Sequence, residues 1–135
     1  MGVKLLGKEV RFLLPMLRSS DRQLHDIAQW EWLEDEMHVR YPNGWQLPEV
    51  ERTDSTVQGK VRGRWFDEEE QKRVPDDSVE LVVAVPANQM TALFTLFDEI
   101  CARFDQKCIY FAAGGDAGLY YPTKEPNRGT EPETA

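Results

Sequence analysis

Two histidines, two cysteines and 24 carboxylates are the chemistry-bearing side chains of this 135-residue chain. A metal site would have to draw on His25, His38, Cys101 and Cys108. Neither the C-x-x-C nor the H-x-x-x-H spacing that a zinc site uses is present, so no metal and no cofactor is expected. Nucleophilic catalysis needs an activated hydroxyl or thiol beside a base. The chain has no G-x-S-x-G, and His25 and His38 read as solvated surface residues. The glycines of "AAGGDAG" (112–118) follow one strand and lead into another, which suits a hairpin rather than a phosphate cradle. "EDE" (34–36) and "DEEE" (67–70) are solvated charge runs. No catalytic residue is assigned from the sequence.

Composition narrows the classes further. A net charge of −8 and a pI near 4.8 oppose a polyphosphate partner, so no nucleic acid is expected. No apolar run approaches the roughly 20 residues that span a bilayer, and the N-terminal "MGVKLLGKEVRFLLPML" is broken by Lys4, Lys8, Glu9 and Arg11. A cytoplasmic protein without a membrane partner is expected, with Cys101 and Cys108 as reduced thiols. Length and a 41% hydrophobic content fit one domain over 1–122. The tail 123–135 is acidic and almost free of apolar residues, and is expected to be disordered.

The elements that would carry any site follow from periodicity. Alternation over 9–16, with Val10, Phe12 and Leu14 on one face, predicts a strand. Ser and Asp residues in "RSSDRQ" (18–23) suit a helix cap. Ile27, Trp30, Leu33, Met37 and Tyr41 then recur at steps of three and four and predict a helix, with Trp32 off the stripe. Pro42 and Asn43-Gly44 end it. Residues 45–59 read as an irregular excursion with room for one short strand. "KVRGRWFD" (60–67) and "SVELVVAVP" (78–86) predict two strands joined by the charged connection 68–77. Met90, Leu93, Phe94, Phe97, Ile100, Cys101 and Phe104 define a second helix, which "DQK" reverses into the strand "CIYFAA" (108–113).

The order strand, helix, strand, strand, helix, strand predicts an α+β domain of the ferredoxin-like split βαβ type (βαββαβ). Both helices then cover one face of a four-stranded antiparallel sheet. The other face is left open, and alternation assigns to it Arg11, Arg62, Arg64, Glu80, Val82, Cys108 and Tyr110. Arg offers a planar fork for carboxylate or phosphate. The same residues also suit mutually paired solvated side chains, or a face on which a second copy docks. The preferred reading is a non-enzymatic interaction or self-association module, a homodimer or a binder of a protein partner. The alternative is a small enzyme or ligand-binding protein holding an anionic ligand through Arg11, Arg62 and Arg64 with Glu80 and Tyr110 nearby.

Three short motifs occur in a suggestive order: Tyr41-Pro42-x-Gly44, then Gly63-x-Trp65, then Phe104-x-Gln106. Across roughly residues 9–121 this order resembles an uncharacterised bacterial family of small ferredoxin-like proteins. The resemblance implies the same α+β fold and carries no activity. The chain departs from the pattern in a longer stretch before Gly63, including "VERTDSTVQ" (50–58). It also has "FAAGG" (111–115), where the family often has charged residues.

Overall fold

The computed structural model describes residues 2–42, 45–46, 52–53, 56–57, 60–67 and 72–122. The elements run β1 (Lys8–Pro15), α1 (Ile27–Arg40), β2 (Trp45–Gln46), β3 (Arg52–Thr53), β4 (Thr56–Val57), β5 (Lys60–Asp67) and β6 (Lys72–Val85). A short 3-10 turn (Ala87–Gln89) then leads into α2 (Met90–Arg103), β7 (Ile109–Ala113) and β8 (Asp116–Tyr120). The expected tail, 123–135, lies outside the described residues.

β1 is the central strand because both of its edges are used. It pairs antiparallel with β6 on one side and with β7 on the other. β5 and β2 lie along the far edge of β6, and β8 lies beyond β7. With β5 as the second strand of the repeat, the spatial order is fourth, first, third, second, all antiparallel. This is the ferredoxin-like arrangement, extended by the β8 edge strand. Directly opposed residues of an antiparallel pair share a face. Val10 opposes Val83, Phe12 opposes Leu81 and Leu14 opposes Val79, and all six are buried.

Both helices lie over that face. α2 contributes Leu93, Leu96, Phe97, Ile100 and Cys101 to the core, in the predicted stripe. Phe97 is the hub, with ring centroids 4.9 Å from Phe12 and 5.9 Å from Phe111. α1 buries Trp30, Leu33 and Met37, and Tyr41 is buried just past its end. Ile27 departs from the expected stripe and is 64% exposed, because the helix starts there and its first turn overhangs the core. The N-cap is Asp26, whose backbone N–H donates to Gln29 Oε1 at 2.6 Å. The expected caps in 18–23 instead form a turn closed by the Leu17–Leu24 bridge.

Two further expectations are corrected. Residues 72–77, read as connection, are strand: β6 is a 14-residue element with Pro75 inside it. Proline is accommodated there because this half of β6 pairs with β5 alone and runs past the end of β1. Among its described residues the excursion holds three two-residue strands, β2, β3 and β4, of which β2 joins the main sheet. Finally, Arg62 opposes Asp77 and Arg64 opposes Pro75. These backbone positions are in step with Val79 and Leu81 rather than with Glu80.

Candidate functional site

The face of the sheet away from the helices is covered by no element among the described residues. Cross-strand register arranges it in rows. The first row runs Glu80, Leu13, Tyr110, Leu119, and the second runs Val82, Arg11, Ala112, Ala117. Glu9 and Ala84 begin a third. The first row is tall and apolar in its middle, with Tyr110 47% and Leu119 54% exposed. The second is low, because Ala112 and Ala117 project only a methyl group. A shallow step therefore runs along the sheet beside the Tyr110 ring, with Arg11 at one end.

Arg11 sits between two carboxylates. Its Nη1 donates to Glu80 Oε1 at 3.3 Å, and its Nε donates to Glu9 Oε1 at 3.3 Å. Charge-assisted N–H···O contacts are strongest at about 2.7–2.9 Å, so these pairs are loose. Each engages a single carboxylate oxygen, and the Arg11 side chain is 49% exposed. Solvent-exposed pairs of this kind add little to stability. The three groups give the face a guanidinium and two carboxylates within reach of one small molecule.

Of the predicted site residues, the structure brings together Arg11, Glu80 and Tyr110, and adds Glu9, Leu13 and Leu119. Leu119 escaped the sequence reading because only four strands were expected, so β8 had no assigned face. Cys108, expected on the open face, lies just before β7 and is partly buried.

A second polar cluster lies where the loop after β1 meets the end of α2. His25, expected at the surface, is fully buried. Its Nε2 lies 2.8 Å from the Pro15 carbonyl, which can only accept, so Nε2 carries the hydrogen. The imidazole stands edge-on to Trp30 and Phe104, with centroids at 5.7 and 4.8 Å. Gln106 Nε2 donates to the carbonyls of Leu17 at 2.9 Å and Phe104 at 2.8 Å. Gln29 Nε2 donates to the Arg103 carbonyl. Asp105 accepts from Ser20, whose two hydrogen bonds, helped by the charges of Arg18 and His25, hold its carboxyl below the usual range. Phe104 and Gln106 are thus fasteners that tie the loop after β1 to the end of α2. His38 is exposed on α1. No group of three or more His, Cys, Asp or Glu residues suited to a metal occurs among the described residues. Among the same residues, no helix is long and apolar enough to cross a membrane.

No family model matches the chain, and no curated protein matches it. Solved structures similar to it include a phage SAM lyase in complex with S-methyl-5'-thioadenosine, with a TM-score of 0.57 and 14% identity. That likeness covers 90% of this chain and 94% of the other. The phage SAM lyase in its apo state is similar with a TM-score of 0.56 and 12% identity, over 93% of this chain and 98% of the other. At these identities the likeness is one of fold.

Proposed function

We propose that this chain is a small enzyme acting on an adenosyl compound of the S-adenosyl-L-methionine class, with the open sheet face as the surface that receives it. One observation carries the reading: the likeness to SAM lyase runs through 94% and 98% of the neighbour chains. Nearly all the chain that lyase has for its work thus lies within an architecture shared here. A shared fold is an analogy rather than a site, so the residues must supply the rest. Tyr110 offers an exposed ring on which a purine stacks, and Arg11 offers a fork for a carboxylate. Arg62 and Arg64, part of the anionic-site expectation, are not used in this reading.

The test is to incubate the purified chain with S-adenosyl-L-methionine and follow both it and S-methyl-5'-thioadenosine by liquid chromatography. The expected result is loss of the first with appearance of the second, slowed at least tenfold in Tyr110→Ala and Arg11→Ala. An unchanged substrate, together with no thermal shift from either compound, overturns the reading.

A second reading is self-association through the same face, as a non-enzymatic module. Its support is the ridge of Leu13, Tyr110 and Leu119, with the last two about half exposed. Light scattering at two protein concentrations tests it, and a mass of one chain at both removes it.

A further inference from the structure

We propose that the Glu9–Arg11–Glu80 cluster reads the charge of the bound adenosyl compound, selecting a sulfonium over the neutral thioether that differs by one methyl group. The inference rests on the reading above and assigns the cluster a role within it.

The argument is one of charge balance. Glu9, Arg11 and Glu80 are joined by contacts of 3.3 Å and together carry one net negative charge. S-Adenosyl-L-methionine carries a sulfonium, an ammonium and a carboxylate, one net positive charge. Loss of the sulfur methyl leaves S-adenosyl-L-homocysteine, a neutral zwitterion of nearly the same shape. Shape alone separates the two by one methyl, whereas a site of opposite sign adds a direct Coulomb difference.

The geometry allows the exchange this requires. Arg11 is held loosely, through one oxygen of each glutamate, so a ligand carboxylate can take the guanidinium as a two-oxygen partner. Glu9 and Glu80 are then released to face the ammonium and the sulfonium. Exchanging one set of paired charges for another spares the cost of leaving any group unpaired. Ala112 and Ala117 continue the row from Arg11 on the side away from Val82, and the body of the ligand would run along them beside the Tyr110 ring.

The test uses probes that the enzyme cannot turn over. Sinefungin carries an ammonium-bearing carbon in place of the sulfonium, and S-adenosyl-L-homocysteine is the neutral counterpart. Calorimetric titration of the full chain is expected to show sinefungin binding about tenfold more tightly, the preference shrinking as salt is raised. Glu9→Gln with Glu80→Gln is expected to reduce the preference to within about twofold, with affinity for S-adenosyl-L-homocysteine, which keeps the ammonium, falling less than that for sinefungin. Glu34→Gln with Asp35→Asn removes equal charge from the exposed side of α1 and is expected to leave the preference intact. Equal affinities in the wild type, or a preference that survives Glu9→Gln with Glu80→Gln, overturns the inference while leaving the proposed function standing. A preference lost equally in the α1 variant also overturns it, since the overall field would then be the cause. Binding of neither probe overturns both.

Discussion

The carboxylate of Asp105 accepts two hydrogen bonds from Ser20, one from its backbone N–H at 2.8 Å and one from its hydroxyl at 2.5 Å, across 85 positions of sequence. A third bond runs in the same sense, from the Ser19 N–H to the Asp105 carbonyl at 2.8 Å. Asp105 holds it from a backbone φ of 52°, a left-handed conformation that Asp tolerates better than most residues. The loop after β1 and the turn after α2 are therefore one fastened unit.

This junction makes stability depend on acid. The Asp105 carboxyl is held below its ordinary value, so its stabilising effect is present above the unfolded pKa of about 3.9 and fades as pH falls through the lower folded value. Asp105→Asn keeps the backbone conformation and is expected to cost about 1 kcal/mol at pH 7. The gap from wild type should close below about pH 4. Thermal melts of both proteins from pH 2 to 7 check this, and parallel curves throughout would contradict it.

Burial of His25 sets a second expectation. His25→Ala leaves a cavity between Trp30 and Phe104 and strips the Pro15 carbonyl of its donor, for a loss of roughly 3 kcal/mol. His25→Leu refills the space but not the hydrogen bond, and should lose less. Urea denaturation of the pair measures the difference. Equal and negligible losses would mean the ring is not in the core.

Gly7 precedes β1 with a φ of +143°, and a Cβ there would lie 2.4 Å from the Val85 carbonyl carbon and 2.6 Å from the Pro86 nitrogen. Backbone cannot yield as a side-chain tip can. Gly7→Ala is expected to cost about 2 kcal/mol or more. Gly2→Ala, which meets nothing within 4 Å, should change stability by less than about 0.5 kcal/mol. A melting temperature for each variant decides it.

The thiols should differ in reactivity. Burial foremost, with the nearby Cys108 and Asp98, pushes Cys101 up to about 12, so the nucleophilic thiolate is scarce at pH 8. Timed alkylation of the native protein, read by mass spectrometry, should modify Cys108 first and reach Cys101 only on unfolding. The same shift has a linkage consequence: stability is full below the ordinary thiol value near 8.5 and declines as pH rises from there toward 12. Cys101→Ala should flatten that decline.

Much of the architecture is legible in local patterning. The α2 stripe, the alternation of Val10, Phe12 and Leu14, and that of Val79, Leu81, Val83 and Val85 each point one face inward. Burying all of them together requires two helices on one side of a sheet. The step from there to the open face of β1 and β6 is also local, since Arg11 and Glu80 alternate with core residues on their own strands.

Where pairing between distant segments is needed, the sequence is silent. Arg62 and Arg64 alternate with Val61, Gly63 and Trp65, and that alternation does not say which positions of β6 they oppose; the register sets Arg62 against Asp77 and Arg64 against Pro75. His25 looks polar and solvated beside Asp26, yet Pro15, Trp30 and Phe104 enclose it once the loop folds back.

Sequence by itself determined which residues turn inward within each element, and so the α+β class. That information is carried by periods of two and 3.6 residues, which are properties of short stretches of chain. Only the tertiary structure decided that Glu9 and Glu80 flank Arg11 and that Tyr110 and Leu119 stand in the neighbouring row. Neighbourhood across strands depends on register, and register is settled by the burial of whole faces at once rather than by any one stretch.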